Sequence, residues 1–333
     1  MNISIIGGGA WGTTLASALA DNNHLVLIRD INAEFVDKIN NSHLHPFFDE
    51  KISDTIRATV SLEEAINFSN IIVLCVPTKV TRNVLVEINS ILKDKKIFVN
   101  VSKGIEPNTS KRVSEIVKEV IDNKYLEGYV ALSGPSHAEE LILKKITSLV
   151  AASNDENLAL LIQNVFANDK YLRVYTSNDV IGVETGGAMK NAIAIVSGIA
   201  YGMGLGENAR AMLITRGIKE IAQIVVKLGG NLETVYGLSG IGDLIVTASS
   251  FNSRNFQCGK RIGEGLSINE ALGMSVQTVE GIRAIIAGHE IGVKYGLELP
   301  IIDTAYKLVE GEIEVKEALN SLMKRSLKKE RYW

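Results

Sequence analysis

The chain of 333 residues is poor in cysteine, proline and aromatic side chains, and it has little net charge. Its two cysteines, Cys75 and Cys258, are too few for a disulfide framework or a four-cysteine metal site. The formal net charge is −3, so no broad basic surface favours nucleic acid or anionic lipid. The longest apolar run, residues 192–206, is shorter than the roughly 18–20 residues that a membrane helix needs.

Signals for metal binding and for export are equally scarce. His43 and His45 stand close together in HLHPFF, but no further ligand pattern surrounds them, so no metal site is predicted. The first residues have the pattern of a strand, rather than of a basic segment followed by an apolar run. These features predict a reduced cytoplasmic protein, with no membrane insertion and no nucleic-acid partner.

Continuous apolar runs alternate with amphipathic segments in the first half of the chain. Strands are predicted over residues 2–7, 25–28, 71–77, 96–102, 129–134, 148–153 and 171–175. Helices are predicted over residues 10–21, 32–40, 81–92 and 111–121. Apolar strands separated by helices are typical of a mostly parallel sheet covered on both faces. The predicted fold class is therefore α/β, with a doubly wound Rossmann-type sheet.

The strand pattern stops near residue 180, and the remainder of the chain has the pattern of an all-α domain. Helices are predicted over residues 180–202, 207–228, 254–264, 279–295, 301–310 and 314–325. Ser267 and Glu270 fit a capping box that opens a further short helix. The change of class predicts a dinucleotide-binding domain over residues 1–180 and a helical substrate-binding domain over residues 181–333.

The segment IIGGGAWG places Gly7, Gly9 and Gly12 at the G-x-G-x-x-G spacing, between a predicted strand and a predicted helix. In that context the first glycine permits a tight turn, and the second lets the backbone approach a pyrophosphate. The third allows close packing of helix on strand, and the helix N-terminus attracts the anion. The motif predicts NAD or NADP as the cofactor.

The end of the second predicted strand bears on which dinucleotide is bound. Asp30 lies about twenty residues beyond the glycines, where an acidic side chain holds the ribose 2′-hydroxyl of NAD. Arg29 beside it could instead pair with the 2′-phosphate of NADP. Both residues also fit an ordinary charged strand end. The sequence favours NADP and leaves NAD open.

A nicotinamide cofactor implies hydride transfer, so the substrate oxygen needs a partner for its proton. Lys190 follows Gly186 and Gly187 near the start of an apolar helix, where desolvation would favour its neutral form. Lys103 follows a strand, at the edge where ligands bind in open α/β sheets. Each lysine fits equally well a side chain that reaches solvent, so the pattern alone leaves both roles open.

Two later segments contain polar residues suited to a phosphorylated substrate. In SGPSHAEE, Ser136 and Glu139 predict a capping box at a helix start. Further on, Asp243 falls in a glycine-rich loop, and Arg254 stands at a helix start, where guanidinium and helix dipole both favour a phosphate. GK[ST] and G-x-S-x-G are absent from the sequence, so nucleotide hydrolysis and serine-esterase chemistry are poorly supported.

Eight segments of the sequence occur in the order GGGAWG, VSKGIE, LSGPSHAEE, GGAMKN, ENARAMLITRG, GLSGIGDLIVT, NSRN and VEG. In these segments and their order the chain resembles the bacterial NAD(P)-dependent glycerol-3-phosphate dehydrogenases, over essentially its whole length. The resemblance implies interconversion of sn-glycerol 3-phosphate and dihydroxyacetone phosphate with NAD(P). It also implies a supply of glycerol 3-phosphate for phospholipid synthesis and, by family analogy alone, a candidate homodimer.

The resemblance further implies roles for individual residues. The catalytic residues would be Lys190, Lys103 and Asp243, with Lys190 exchanging the proton of the substrate hydroxyl. Substrate binding is implied for Lys103, Gly134, Ser136, Lys190, Asp243, Ser253, Arg254 and Asn255. Cofactor binding is implied for Gly7, Gly9, Ala10, Trp11, Gly12, Arg29, Lys103, Ala138, Arg254, Thr278 and Glu280. The family often has serine where Ala10 stands, so one hydroxyl contact to the cofactor is expected to be missing.

Two other readings stay open on the sequence. Dehydrogenases of the 6-phosphogluconate or hydroxyacyl-coenzyme A type combine a dinucleotide domain with a helical second domain, and fold does not separate them. The segments NSRN and GGAMKN favour the glycerol phosphate class. A non-catalytic NAD(P)-sensing protein would keep the glycine loop and use Lys190 and Lys103 only as structural or anion contacts.

Overall fold

The computed structural model describes residues 1–275, 278–327 and 329–330, which divide into two compact units. The first unit comprises Met1–Glu106 and Lys111–Val183. The second begins at Glu184 and also takes in Pro107–Ser110. None of the helices in the described part of the chain combines the length and apolar character needed to cross a membrane.

A single eight-stranded sheet lies at the centre of the first unit. In chain order its strands are β1 (Asn2–Ile6), β2 (Leu25–Arg29), β3 (Ile56–Thr59), β4 (Ile71–Leu74), β5 (Lys96–Asn100), β6 (Leu126–Ser133), β7 (Thr147–Ala152) and β8 (Leu172–Ser177). Their spatial order is β3-β2-β1-β4-β5-β6-β7-β8. Neighbours pair in parallel, except that β7 runs antiparallel to β6. The predicted doubly wound α/β class is confirmed.

The helices of the first unit cover this sheet. They are α1 (Ala10–Asp21), α2 (Ala33–Asp37), α3 (Leu62–Phe68), α4 (Thr78–Ile91), α5 (Val113–Val120), α6 (Ala138–Leu141) and α7 (Glu156–Phe166). Strands β4 and β5 are buried at every residue, which is why they carry apolar runs without alternation, with polar residues only at the two ends of β5. The strand order reverses between β1 and β4, and such a switch point is where open α/β sheets bind ligands.

The second unit is helical. Its elements are α8 (Val180–Gly202, which begins at the end of the first unit), α9 (Gly206–Lys227), α10 (Leu232–Val235), α11 (Asp243–Ser249), α12 (Arg254–Gly263), α13 (Ile268–Gly273), α14 (Gly281–Tyr295), α15 (Pro300–Val309) and α16 (Val315–Met323). The predicted capping box of α13 is present, because Ser267 and Glu270 bond each other's backbone amides.

Helices α8 and α12 pack backbone against backbone. A Cβ at Gly198 would lie 2.2 Å from the carbonyl oxygen of Phe256, and one at Gly259 would lie 2.0 Å from that of Ile195. Such distances are far inside van der Waals contact, so larger side chains would force the two helices apart. The glycines thereby allow α12 to lie directly against the C-terminal part of α8.

Glu220 is a buried carboxyl group on α9 that caps a different helix. Its Oε1 and Oε2 accept hydrogen bonds from the backbone amides of Ile301 (2.7 Å) and Ile302 (3.0 Å), in the first turn of α15. Burial outweighs these two bonds and raises the pKa of Glu220 to about 8. The folded protein therefore holds a proton that the unfolded chain releases at neutral pH.

We expect this proton to make stability depend on pH. The contribution of Glu220 is full below its ordinary pKa of 4.5 and is lost as the pH rises through about 8. Across that interval the free energy of unfolding should fall relative to Glu220→Gln, by at most about 1.4 kcal/mol per pH unit. Urea unfolding of both proteins across this pH range measures the two slopes. The neighbouring charges of Asp303 and Arg325 are present in both proteins, so the difference in slope reports on Glu220. Equal slopes would contradict the prediction.

Candidate active site

The glycine loop turns sharply at the end of β1. Gly7 has φ +115°, and a Cβ there would lie 2.5 Å from the carbonyl oxygen of Cys75, which follows β4. A Cβ at Gly12 would lie 2.0 Å from the carbonyl oxygen of Gly7, so α1 can approach the strand only without a side chain at that position. Around Gly9 a Cβ would meet nothing within 4 Å. The loop is therefore closed on the sheet side and open at its second glycine.

The start of α1 can accept an anionic ligand. Gly9 is its N-cap and offers no side-chain bond to the first-turn amides, which have no partners inside the helix. Such uncapped amides beside open space suit a pyrophosphate. Within the described residues, Trp11 Nε1 and Arg29 Nε are buried without a hydrogen-bond partner. The residues present thus fit a dinucleotide, and Ala10 leaves the position without a hydroxyl.

Asp30 follows β2 and points back toward the glycine loop. Its Oδ2 accepts a hydrogen bond from the backbone amide of Gly8 at 2.6 Å. Its Oδ1 accepts one from the backbone amide of Asn32 at 2.9 Å, where α2 begins. The residue that the sequence places near a ribose is therefore bonded to backbone on both sides.

Lys103 lies just beyond the carboxyl end of β5. Its Nζ donates to the carbonyl oxygen of Gly134 at 2.8 Å and lies 3.4 Å from the hydroxyl of Ser136. Ser136 Oγ in turn donates to the same carbonyl oxygen at 3.0 Å. The structure thus brings together three predicted site residues from the ends of β5 and β6.

The predicted capping box between Ser136 and Glu139 is wrong. Helix α6 begins at Ala138, its N-cap is His137, and no side chain caps its amides. The hydroxyl of Ser136 is bonded to Gly134 instead, one turn before the helix. The serine therefore serves the loop that holds Lys103.

The loop after Lys103 is fixed by an ion-pair network. Arg82 donates hydrogen bonds from Nε and Nη2 to the two carboxylate oxygens of Glu106, at 2.7 and 2.9 Å. Its Nη2 also lies 3.1 Å from the carboxylate of Glu119. Ile105, between the lysine and the glutamate, is 2% exposed. A bidentate pair and a buried apolar anchor together restrict the backbone that carries Lys103.

Lys190 lies in the middle of α8, not near its start, and is 4% exposed. Its Nζ donates to Asp243 Oδ1 at 2.5 Å and to Thr247 Oγ1 at 2.6 Å. Thr247 Oγ1 donates onward to the backbone carbonyl of Asp243 at 2.6 Å. The lysine is thus held in a buried ion pair instead of reaching solvent.

Asp243 does not lie in a loop, as its glycine-rich surroundings predict, but is the first residue of α11. The glycine segment before it, Leu238–Gly242, is itself helical and runs directly into α11. Thr247 follows Asp243 by four residues and so faces the same side of the helix. The sequence does not predict a role for Thr247. The segment GDLIVT contains it, but a segment interpreted as a loop gives no helical spacing between Asp243 and Thr247.

Asn255 joins three helices next to Lys190. Its Nδ2 donates to Oδ1 of Asn191 at 2.9 Å, and its Oδ1 accepts from the amide of Gly281, where α14 begins, at 2.8 Å. The sequence does not predict a role for Asn191 either, although it is the immediate neighbour of Lys190. The amide bridge ties the start of α12 to the helix that carries the lysine.

The remaining predicted residues of the second unit stand at helix starts. Ser253 is the buried N-cap of α12, with its Oγ accepting from the amide of Phe256 at 3.2 Å, and Arg254 is the first residue of that helix. Thr278 and Glu280 precede α14, and Glu280 lies 3.5 Å from Arg283. Arg254 and Asn255 thus come from the same turn that Asn191 contacts.

Two family models match the chain. The N-terminal model of NAD-dependent glycerol-3-phosphate dehydrogenase covers residues 2–159, and the C-terminal model of the same family covers residues 179–320. A relative from Acholeplasma laidlawii, named glycerol-3-phosphate dehydrogenase (NAD(P)+), is 56% identical over 99% of both chains. A Phytoplasma mali relative of the same name is 47% identical, again over 99% of each chain.

A solved structure of glycerol-3-phosphate dehydrogenase from Coxiella burnetii superposes on 97% of this chain and 99% of its own. Its TM-score is 0.92 at 29% sequence identity. D-mandelate dehydrogenase with NADH has a TM-score of 0.63 at 17% identity, a likeness of fold alone. Matches to both halves, together with relatives of nearly equal length, place the chain in one family. It belongs to the NAD-dependent glycerol-3-phosphate dehydrogenases.

Proposed function

We propose that the protein interconverts sn-glycerol 3-phosphate and dihydroxyacetone phosphate by hydride transfer with NAD or NADP. The observation that carries this function is the buried pair of Lys190 and Asp243, whose Nζ and Oδ1 atoms lie 2.5 Å apart. A lysine held in this way is suited to exchange a proton with a hydroxyl or carbonyl oxygen. Membership of the family supplies the substrate, and the reaction provides glycerol 3-phosphate for phospholipid synthesis.

A direct assay tests the reaction. The protein is mixed with dihydroxyacetone phosphate and either NADH or NADPH, and nicotinamide absorbance is followed. We expect absorbance to fall with at least one cofactor, and the two rates give the preference. 6-Phosphogluconate and a hydroxyacyl-coenzyme A, each with the oxidised cofactor, serve as comparison substrates. Binding of cofactor without turnover of any substrate would instead favour an NAD(P)-sensing protein.

NAD or NADP, when bound, accepts the hydride in alcohol oxidation and supplies it in reduction. Cofactor binding is assigned chiefly to residues 1–180, and substrate binding chiefly to residues 181–333. The open space at Gly9 and the uncapped start of α1 support the first assignment. The proposed cofactor residues are Gly7, Gly9, Ala10, Trp11, Gly12, Arg29, Lys103, Ala138, Arg254, Thr278 and Glu280.

Lys190 is the proposed proton-exchanging residue. In reduction its ammonium gives a proton to the oxygen at C2 of the substrate, and in oxidation the neutral amine takes that proton back. Asp243 favours the ammonium form by its charge, and with Thr247 it orients Nζ. Lys103 is proposed to contact the substrate oxygen and the cofactor, with its Nζ held by Gly134. The remaining proposed substrate residues are Gly134, Ser136, Ser253, Arg254 and Asn255.

The substrate phosphate is assigned to Arg254, where the guanidinium and the first turn of α12 both favour an anion. We expect Arg254→Ala to raise the KM for dihydroxyacetone phosphate by about tenfold to a hundredfold, as loss of a charge-assisted bond predicts. The effect on kcat should be smaller. Steady-state kinetics at saturating cofactor measures both constants.

The matched control is Lys260→Ala, in the last turn of the same helix, where the lysine pairs with Glu264. It should leave KM near the parent value. Because Arg254 is also proposed to contact the cofactor, the cofactor dissociation constant is measured separately. An unchanged substrate KM in Arg254→Ala would remove that residue from the phosphate site.

We also propose a cytoplasmic homodimer. Cys75 and Cys258 form no disulfide in the described part of the chain, which fits a reducing compartment, and the proposed substrate and cofactors are small water-soluble metabolites. The dimer rests on family analogy. Sedimentation equilibrium of the purified protein gives its mass directly, and a mass equal to the single chain of 36.1 kDa would overturn the dimer.

A further inference from the structure

Asp30 stands at the end of β2, where an acidic side chain in a Rossmann fold commonly holds the ribose 2′-hydroxyl and disfavours a 2′-phosphate. In this chain the two carboxylate oxygens are each bonded to a backbone amide. Oδ2 receives the Gly8 amide at 2.6 Å, and Oδ1 receives the Asn32 amide at 2.9 Å. The carboxylate therefore bridges the glycine loop and the start of α2.

The bond to Gly8 is part of a tighter arrangement. The carbonyl oxygen of Gly8 accepts the hydroxyl of Thr13 at 3.0 Å, so both backbone groups of Gly8 are held. A Cβ at Gly8 would lie 3.2 Å from both Cβ and Oδ2 of Asp30, which shows how closely the loop backbone rests on this side chain. The backbone amide of Asp30 donates a hydrogen bond to the carbonyl oxygen of Thr59 in β3, which fixes the backbone that carries the side chain.

We propose that Asp30 is a positioning residue for the glycine loop, which supports NAD and NADP binding alike instead of selecting NAD. This inference rests on the proposed dinucleotide-dependent function. Two amides directed at the carboxylate offset its charge locally, which reduces its repulsion of a 2′-phosphate. Bonds to a charged acceptor are the strong ones, so the loop geometry that any dinucleotide meets depends on Asp30.

The test compares the two cofactors directly by binding, without substrate. Nicotinamide fluorescence gives the dissociation constants of NADH and NADPH for the parent, for Asp30→Asn and for Asp30→Ala. Asparagine keeps one acceptor oxygen, so at most one of the two bonds can persist. We expect both dissociation constants to rise together, by roughly tenfold in Asp30→Ala and by less in Asp30→Asn. The ratio of the NADH dissociation constant to the NADPH dissociation constant should stay within about threefold of the ratio in the parent.

A second readout reports the bond itself. In protein labelled with ¹⁵N-glycine, the Gly8 amide of the ligand-free parent should exchange slowly with solvent, and Asp30→Ala should speed that exchange. Asp54→Asn, an exposed aspartate in the same unit, is the control and should change neither binding nor exchange. Thermal melting confirms that each variant is folded, and the conservative asparagine variant serves if the alanine variant is not.

The outcomes separate cleanly. Weaker NADH binding with stronger NADPH binding would show that Asp30 selects the cofactor, and would overturn the inference. Unchanged binding of both, or unchanged Gly8 exchange, would overturn it as well. If the parent binds neither dinucleotide, the proposed function fails, while the exchange of the Gly8 amide still decides whether Asp30 holds the loop.

Discussion

Lys190→Met lowers kcat for dihydroxyacetone phosphate reduction by about 10²- to 10⁴-fold, the usual value of general acid–base help. The methionine side chain has similar length and cannot exchange a proton. Cofactor dissociation constants should stay close to those of the parent, because Lys190 is not among the proposed cofactor residues and its Nζ is bonded to Asp243 and Thr247. Steady-state kinetics measures the first effect, and nicotinamide fluorescence the second.

The control for this substitution is Lys307→Met, which removes an exposed lysine from α15 in the same unit. It should retain the parent's kcat and stability, which separates the loss of one particular lysine from a general loss of charge. Turnover like the parent's in Lys190→Met would overturn the assignment of Lys190. A loss of cofactor binding equal to the loss of kcat would indicate that the lysine acts chiefly in binding.

The second large effect is on folding. Asp243 is 1% exposed and Lys190 is 4% exposed, so removing either partner leaves the other charge buried without its counter-ion. We expect Lys190→Met and Asp243→Leu each to lower the free energy of unfolding by about 3–5 kcal/mol. The double variant should recover most of that loss, because no unpaired charge remains inside, and yet stay inactive. Urea denaturation of the four proteins completes a double-mutant cycle.

This cycle also protects the first prediction from a trivial explanation. A loss of about 3–5 kcal/mol is a large part of ordinary domain stability, so part of Lys190→Met could unfold during an assay. The stable double variant shows what the folded scaffold does without the lysine. For comparison, Lys260→Met breaks the half-exposed pair with Glu264 and should cost less than about 1 kcal/mol. Single variants as stable as the parent, or a double variant no more stable than they are, would contradict the expected coupling.

Elements set by local pattern could be predicted closely. Helix α1 occupies Ala10–Asp21 and α8 occupies Val180–Gly202, the ranges that the apolar pattern indicates. Strand β3 at Ile56–Thr59 was missed, because it is a four-residue edge strand with an exposed arginine, Arg57, at its second position. Short edge strands derive their structure from pairing with a neighbour, and only the folded sheet supplies that neighbour.

The features of the proposed site also divide into those that local sequence predicts and those that depend on the packing of distant segments. The sequence by itself determined the glycine loop, because a G-x-G-x-x-G turn between strand and helix is a local requirement of backbone geometry. It determined that Lys190 lies in an apolar helix, but not that Asp243, 53 residues away, lies beside it. The same holds for Asp30, whose carboxylate meets Gly8 across 22 residues. Periodicity reports neighbours within a strand or a helical turn, whereas the partners of a buried charge are chosen by how distant segments pack, so only the tertiary structure decided them.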